Sequence, residues 1–326
     1  MLTLTAPTAR PARRLRRRQW SGWGLHSLGA FATRRFVQTP FADPQGLKGL
    51  FGPLTRAPMH RLVQVSMRVP GWPEMARPLR VAFLSDFHTG SHTGDVQRFA
   101  DIVVEVNRLR PDLVCLGGDY VNCMAFGGGR VPPETTAEIL AGLVAPLGLF
   151  AVLGNHDWEY DGKAVWTALN AVGIQVLENE FAPVTFEGTR IFIVGIGDNR
   201  TRDPDVQRTL MHVPIGEPAL VLAHDPASFT DLPPGPYVML SGHTHGGQIQ
   251  LPLVGPLINM SEAPRTWTYG HIESNGRQLY VTSGLGTSGL PIRIGIPPEI
   301  VLVEIAALSR SGMCSWSAND PEAAAA

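Results

Sequence analysis

The sequence predicts an α/β fold in which two β-sheets pack on each other. Between Leu79 and Ala171, apolar runs of strand length alternate with stretches of helical periodicity. After Gln175 the pattern changes, and shorter β-like runs dominate. The chain has 326 residues, which suits one large core with appendages, and its 35 glycines and 28 prolines predict many turns.

The first half repeats a strand–loop–helix unit, which implies crossover connections and parallel strands in one sheet. The predicted strand and helix pairs are 79–84 with 96–109, 112–116 with 134–144, and 149–153 with 163–171. Asp95 is expected to be the N-cap of the first helix. A second, mixed sheet is predicted from the runs 181–187, 190–195, 219–223, 237–241, 267–272, 278–282 and 299–304.

Polar residues stand where the predicted strands end. In open α/β sheets, ligands bind in the crevice beyond the carboxyl ends of the strands. Two runs of the second half also end in histidines, one of them in Gly242-His-Thr-His-Gly-Gly. We therefore expect these side chains to gather at one edge: Asp86, His88, Asp119, Asn155, His156, His224, His243 and His245.

This expected cluster offers oxygen and nitrogen ligands and no sulfur, which suits Mn²⁺, Fe or Zn²⁺. The three cysteines lack the paired spacing of a zinc ribbon. Asp-x-His alone is common and carries little weight, whereas His-x-His between glycines is a stronger signal. A set of this size exceeds what one tetrahedral ion needs, and a carboxylate that bridges two ions accounts for the excess. Only the complete ordered set is specific.

The ordered motifs resemble those of the calcineurin-like metallophosphoesterases over roughly residues 78–305. They are Asp86-Phe-His88, Gly118-Asp119, Gly154-Asn-His-Asp157, Ala223-His224 and Gly242-His-Thr-His-Gly-Gly-Gln248. Gly284-Leu-Gly286 and Arg293-Ile-Gly-Ile-Pro-Pro-Glu299 resemble the YaeI/YkuE-like branch. The resemblance implies a four-layer αββα sandwich of two mixed β-sheets flanked by helices, in agreement with the two sheets predicted above.

The resemblance also implies roles for these residues. One ion would be bound by Asp86, His88, Asp119 and His245, and the second by Asp119, Asn155, His224 and His243, with Asp119 bridging. His156 would be the catalytic histidine that binds no metal, and Asp157 would orient it. The implied reaction is hydrolysis of a phosphodiester or pyrophosphate bond by a hydroxide held between two divalent ions, whose identity (Mn²⁺, Zn²⁺ or Fe) stays open.

The substrate is less constrained. The apolar run Ile249–Ile258 follows the last motif, and we expect it to pack under the second sheet; the alternative is a wall for an acyl or prenyl chain. Relatives in the resembled family cleave the pyrophosphate of UDP-2,3-diacylglucosamine in lipid A synthesis, which favours a lipid-linked substrate. Two alternatives are a phosphodiesterase for soluble nucleotides and a non-enzymatic, metal-stabilised binding protein.

Charge divides the chain into an arm and a body. Eight of the 27 basic residues, all arginines, lie in residues 1–35 without any acid, so the remainder has 19 basic residues against 28 acidic ones. We predict a basic arm over 1–60, the phosphoesterase domain over 61–308 and a disordered tail over 309–326. Arginines followed by tryptophans favour peripheral contact with the anionic inner membrane, facing the cytoplasm; an exported precursor and a disordered leader are the alternatives. The acidic body argues against nucleic acid, and the oligomeric state stays open.

Overall fold

A computed structural model describes residues 42–45, 55–124, 128–257 and 260–308. Two six-stranded sheets pack face to face, and helices cover their outer faces. This is the αββα sandwich of two mixed sheets that the resemblance implied. The predicted tail and most of the predicted arm lie outside the described residues.

The first sheet has the strand order β1–β14–β2–β3–β4–β5. Strands β2 to β5 are parallel to one another, whereas β14 runs antiparallel to β2 and parallel to β1. The strands are β1 (Arg61–Val69), β2 (Leu79–Leu84), β3 (Leu113–Leu116), β4 (Leu149–Ala151), β5 (Gln175–Val176) and β14 (Glu299–Ala307).

The second sheet has the order β12–β13–β9–β8–β7–β6. Its four inner strands β13, β9, β8 and β7 are parallel, and an antiparallel strand closes each edge. The strands are β6 (Glu180–Phe186), β7 (Thr189–Ile196), β8 (Ala219–Ala223), β9 (Tyr237–Ser241), β12 (Gly270–Ser274) and β13 (Arg277–Val281). A separate hairpin pairs β10 (Gln250–Leu251) with β11 (Gly255–Pro256).

Side-chain alternation along each strand divides the interior into three apolar layers. Val81 and Phe83 of β2 face the core between the sheets, while Ala82 and Leu84 face the helices. Both faces of the inner strands are therefore buried, which explains why these strands appear in the sequence as continuous apolar runs. The parallel strands of both sheets consequently end in loops whose conformation the packed core constrains.

Three helices cover the first sheet and one short helix, with 3-10 turns, covers the second. They are α1 (Asp95–Arg108), α2 (Pro133–Leu140), α3 (Asn155–Ala171) and α4 (Val206–Leu210). Asp95 is the first residue of α1 and not its cap, because Gly94 occupies that position with φ 79°. Helix α3 begins eight residues earlier than predicted and is interrupted at Asp161.

Three further differences concern strands. Strand β1 was not predicted, and β12 begins at Gly270, three residues after the start of the predicted run 267–272, because a 3-10 turn at Arg265–Trp267 precedes it. The run 299–304 was predicted for the second sheet, but β14 pairs with β1 and β2 and therefore lies in the first. Within the described ranges, no helix has the length and apolar character required to cross a bilayer.

Candidate metal centre

Five strand ends bring the predicted side chains to one edge of the sandwich. Strands β2 and β3 lead into Asp86, His88 and Asp119, and β4 leads into the first turn of α3. From the second sheet, β8 leads into His224 and β9 into the turn that carries the last two histidines. All eight side chains of the predicted cluster follow strand ends at this edge, Asn155 and His156 in the first turn of α3 and the others in loops and turns, and only His156 among them is more than marginally exposed.

Asp119 lies at the centre of the cluster. Its Oδ2 is 3.3 Å from Nε2 of His88 and 3.3 Å from Nε2 of His224. Its Oδ1 accepts a hydrogen bond of 3.0 Å from the backbone N–H of His156. One carboxylate therefore contacts groups from three separate loops, two on the first sheet and one on the second.

The possible ligand atoms form three overlapping groups, each with all its atoms within 4.8 Å of one another. The groups are Asp86–His88–His245, His88–Asp119–His156 and Asp119–His224–His243. In the first group, Nε2 of His245 lies 3.5 Å from Asp86 Oδ1 and 3.2 Å from His88 Nε2. Because Asp119 and His88 are shared, the three groups form one continuous cluster.

The hydrogen bonds of two imidazoles fit metal binding. Nδ1 of His224 donates to the carbonyl of Gly117 at 2.7 Å, and Nε2 of His243 donates to the carbonyl of Met260 at 3.0 Å. Such bonds fix the tautomer of a ligating histidine and leave its other nitrogen free for an ion. Asn155 Oδ1 is buried with no hydrogen-bond partner among the described residues, and His224 Nε2 has none besides its 3.3 Å contact with the Asp119 carboxylate. These two atoms are the ones a cation would satisfy.

Burial and charge shift the pKa values of these groups in both directions. Burial raises the pKa of Asp86 to about 6, and, against the effect of burial, Asp119 raises the pKa of His224 well above its usual value. Three other groups are shifted towards the forms that bind cations. Burial lowers the pKa of His88 to about 3 and that of His245 well below its usual value. Burial opposes ionisation of Asp119, but His224 and the other imidazoles hold its pKa well below the usual range. Neutral imidazoles and an ionised carboxylate are the forms that ligate a metal.

The backbone at this edge is strained. Five of the predicted ligands have left-handed conformations: Asp86 (φ 54°), His88 (φ 41°), Asp119 (φ 56°), His243 (φ 68°) and His245 (φ 52°). Non-glycine residues adopt this region rarely, and such outliers concentrate at functional sites. The surrounding glycines allow the close approach of these loops. A Cβ at Gly154 would meet the carboxylate of Asp119 and would lie 2.7 Å from Nε2 of His224.

Asp157 has a different neighbour from the one expected. Its carboxylate accepts backbone N–H bonds from Gly154 (2.9 Å), Asp119 (2.8 Å), Tyr120 (2.8 Å) and Val121 (3.3 Å). It therefore joins the loop after β3 to the start of α3, and it does not contact the imidazole of His156. The expectation that Asp157 orients this ring is wrong; Asp157 holds the backbone on which Asp119 and His156 stand.

The ring of His156 is positioned by residues that the sequence did not indicate. Its Nε2 lies 3.1 Å from Ser288 Oγ, and its Nδ1 lies 3.5 Å from Glu159 Oε2. The side chain of Gln248 accepts the backbone N–H of Ser288 and donates to the Ser288 carbonyl. The turn after His245 therefore fixes the position of Ser288. Gln248 stood in a recognisable motif, whereas Ser288 lies 132 residues beyond His156 with no local signal.

Arg293 supports the turn that carries His245. Its guanidinium donates to the carbonyls of Ser283 (2.6 Å) and Gly286 (2.5 Å), and its Nη2 lies 3.3 Å from Nδ1 of His245. Burial lowers the pKa of Arg293 to about 10. This arginine therefore gives the last segment of the chain before β14 a direct contact with the cluster.

Comparisons with known proteins agree with this geometry. The sequence model of the calcineurin-like phosphoesterases matches residues 79–247. The metallophosphoesterase YkuE of Bacillus subtilis is 32% identical over 68% of this chain and 75% of that protein. Phosphodiesterase YaeI of Escherichia coli is 30% identical, covering 72% of this chain and 89% of its own. A transmembrane protein with a metallophosphoesterase domain from Danio rerio is 32% identical, over 83% of this chain and 63% of that one.

The family model matches more than half of the chain, and the common activity of this family is the metal-dependent hydrolysis of phosphoesters. The donor cluster is a candidate site for that activity. The chain belongs to the calcineurin-like phosphoesterases.

Proposed function

We propose that this chain hydrolyses a phosphodiester or pyrophosphate bond with two divalent ions held between its sheets. The observation that carries the proposal is the sharing of Asp119 between two donor groups, one with His88 and one with His224 and His243. A single carboxylate between two sets of imidazoles is the arrangement that a bridging ligand requires. The relative named as a phosphodiesterase, YaeI, supports the diester among phosphoesters.

The residues divide between the two ions as the resemblance implied. Asp86, His88 and His245 would hold one ion and Asn155, His224 and His243 the other, with Asp119 between them. When bound, a pair of divalent ions lowers the pKa of water to about 7 and neutralises charge on the phosphoryl oxygens. Every proposed ligand is present in this chain, which opposes the alternative of a non-enzymatic binding protein.

His156 is proposed to move a proton. One of its ring nitrogens lies within 4.8 Å of both Asp119 and His88, so the ring borders the cluster. It is also the most exposed of the clustered histidines, and it therefore faces the side from which a substrate enters. From this position it would donate a proton to the leaving oxygen or stabilise the charge that develops there.

The apolar segment that follows the last motif supports a lipid-linked substrate. The run after the last motif does not pack under the second sheet as expected: Leu257 and Met260 are partly exposed, and the carbonyl of Met260 accepts the ring N–H of His243. We propose that these two side chains meet an acyl chain beside the cluster, since Met260 contacts His243 through its backbone. UDP-2,3-diacylglucosamine is the specific candidate, and the basic arm is proposed to hold the protein peripherally at the inner membrane.

Hydrolysis of bis-p-nitrophenyl phosphate by the full-length protein tests the reaction. We expect no turnover after metal removal, recovery with Mn²⁺, and loss to background in His245→Ala. His271→Ala is the matched control, because His271 on β12 bonds Gln278 on β13 and lies outside the cluster. Turnover that persists without metal, or that His245→Ala leaves intact, would refute the proposed centre.

A second assay tests the substrate class. Acylated and deacylated forms of the same nucleotide-sugar pyrophosphate are compared at equal concentration. The proposal expects clear preference for the acylated form, with a lower preference in Met260→Ala. Equal cleavage of both forms, or faster cleavage of soluble cyclic or dinucleotides, would favour the soluble-nucleotide alternative.

A further inference from the structure

The β10–β11 hairpin presents an apolar surface to solvent. Leu253 is fully exposed at its tip, Val254 is 64% exposed beside it, and Leu251 and Leu257 are also exposed. The two strands have two residues each, so the hairpin has no core of its own that could bury these side chains. An isolated two-stranded hairpin is marginally stable in water, and apolar side chains at its tip do not improve this.

A second apolar segment lies directly beside the hairpin. Its backbone pairs with the base of the hairpin, since Gln250 N–H donates to the Ile294 carbonyl and Ile294 N–H donates to Gln248. Along this extended segment Arg293 points into the cluster, while Ile292 and Ile294 are exposed on the other side. We call the exposed apolar side chains of segments 250–257 and 290–294 the apolar rim.

The exposed apolar side chains of the described residues are concentrated in the apolar rim. Of the eighteen large apolar side chains that are exposed in the described part of the chain, seven belong to the apolar rim and an eighth is Met260. No charged residue occurs between Asp231 and Glu262. Contiguous apolar patches of this kind mark interaction surfaces, whereas single exposed side chains need no explanation.

The basic arm reaches the same edge of the molecule. Its described end, residues 42–45, pairs with the loop before α1: Asp43 N–H donates to Thr93 Oγ1, and Gly94 N–H donates to the Asp43 carbonyl. The same loop contacts the segment that leads into the apolar rim, because Ser91 Oγ accepts the N–H of Thr287. Residues 1–35, which carry eight arginines, therefore precede the described segment 42–45 at the metal-centre edge.

We propose that the apolar rim is a membrane-docking surface that seats the metal-centre edge on an anionic bilayer. Apolar side chains at the tip would enter the boundary between headgroups and acyl chains, about 5–10 Å deep. The arginines of the arm and Arg265, which donates to the Pro256 carbonyl at the base of the hairpin, meet the anionic headgroups. This surface deepens the membrane attachment proposed above by assigning it a contact in the folded domain, and it does not rest on the proposed reaction, since a bilayer can be bound without turnover.

Two features favour a bilayer over a second protein copy. The most exposed residues of the apolar rim lie at a hairpin tip, and a tip buries little area against another folded chain. Arg265 also lies beside the hairpin, and residues 1–35, which carry eight arginines and no acid, precede the described segment 42–45 that bonds the loop before α1. Apolar insertion together with basic contact is the combination that binds anionic membrane surfaces.

Vesicle flotation of the full-length protein tests the proposal. Phosphatidylcholine vesicles with and without phosphatidylglycerol are compared for the wild type and for Leu253→Asp combined with Val254→Asp. Both side chains are exposed, so the fold does not depend on them. The matched control is Met211→Asp combined with Ile215→Asp, two exposed apolar residues that precede β8 and therefore lie away from the metal-centre edge.

We expect the wild type and the control to bind the anionic vesicles. The tip variant should bind at least about tenfold more weakly, because burial of one Leu or Val side chain corresponds to roughly a tenfold change in partition. Hydrolysis of bis-p-nitrophenyl phosphate should be unchanged in both variants, which separates this test from that of the proposed reaction. Equal flotation of the tip variant and the wild type would overturn the proposal. So would absence of wild-type binding, or a tip variant that only dissociates a dimer in solution.

Discussion

The two sheets contribute different chemistry to the same centre. The first supplies the proposed oxygen ligands Asp86, Asp119 and Asn155 together with one proposed histidine ligand, whereas the second supplies imidazoles alone. Each sheet also holds the ligands of the other: the backbone N–H of His243 donates to Asp86 at 3.0 Å, and His224 donates to the carbonyl of Gly117. The centre is therefore complete only where the two sheets pack together.

This comparison explains why glycines surround the cluster. Gly154 follows β4 on the first sheet, and Gly242 follows β9 on the second. A side chain at Gly242 would meet Ser85 and Asp86 of the opposite sheet. Loops from two separately twisted sheets can approach this closely only where one partner lacks a Cβ.

The largest effect is expected from Gly154→Ala. The new Cβ would press on Asp119 of the first sheet and His224 of the second, so it should move the two ligand sets apart and reduce turnover of bis-p-nitrophenyl phosphate to background. Overpacking of this kind costs about 1–3 kcal/mol of stability. Since φ is −98° at Gly154, the backbone itself tolerates alanine.

Gly188→Ala is the control for this variant. Its Cβ would meet nothing within 4 Å, but its φ of 79° imposes strain of about 1–2 kcal/mol. It should lower the thermal midpoint without affecting turnover. If Gly154→Ala kept full turnover and metal content, the centre would not depend on close contact between the sheets.

A smaller effect is expected from His156→Ala. This histidine borders the cluster without being required as a ligand, so turnover should fall about 10²–10⁴-fold while bound metal stays constant. Steady-state kinetics together with elemental analysis of the same preparation measure both. Loss of a metal ion in this variant would make His156 a ligand, and unchanged turnover would remove it from the reaction.

The smallest effect is expected from Ser288→Ala. Removal of its hydrogen bond to His156 costs about 0.5–1.5 kcal/mol, which corresponds to at most about a tenfold loss of rate. Because Ser288 acts through the ring, the same substitution should have no further effect in a His156→Ala background. An additive loss in the double variant would show that Ser288 acts independently of His156.

Much of this centre follows from the sequence, for an identifiable reason. Strands β2, β3, β8 and β9 are buried on both faces, so they appear as apolar runs that end abruptly at polar residues. Parallel strands then place those residues at one edge. The prediction that eight side chains gather there needed only strand ends and strand direction, and the structure brings them together.

The missed features depend on contacts between distant parts of the chain. Strand β1 alternates exposed and buried residues and pairs with β14 more than 230 residues later, a pairing that no local pattern indicates. The start of α3 was missed because its first turn consists of Asn155, His156 and Asp157, which resemble a loop. Asp157 was assigned to the adjacent ring because sequence proximity does not reveal the four backbone donors that surround its carboxylate.

The hairpin shows the opposite error. An apolar run of ten residues normally indicates burial, so Ile249–Ile258 was expected to lie under a sheet. Composition alone cannot distinguish an apolar run that is buried in the protein from one that is exposed to bind an apolar partner, because neither kind of run contains charged residues. The exposure of Leu253 and Val254 became visible only when the hairpin was placed at the edge of the fold.

Metal stoichiometry tests the central claim most directly. The metal-stripped full-length protein is titrated with Mn²⁺ and the bound ions per chain are measured by equilibrium dialysis and elemental analysis. We predict two ions per wild-type chain and a reduction to one in His243→Ala. The reason is that His243 belongs only to the donor group Asp119–His224–His243. A wild-type chain that binds one ion or none at saturation would contradict a centre shared between the two sheets.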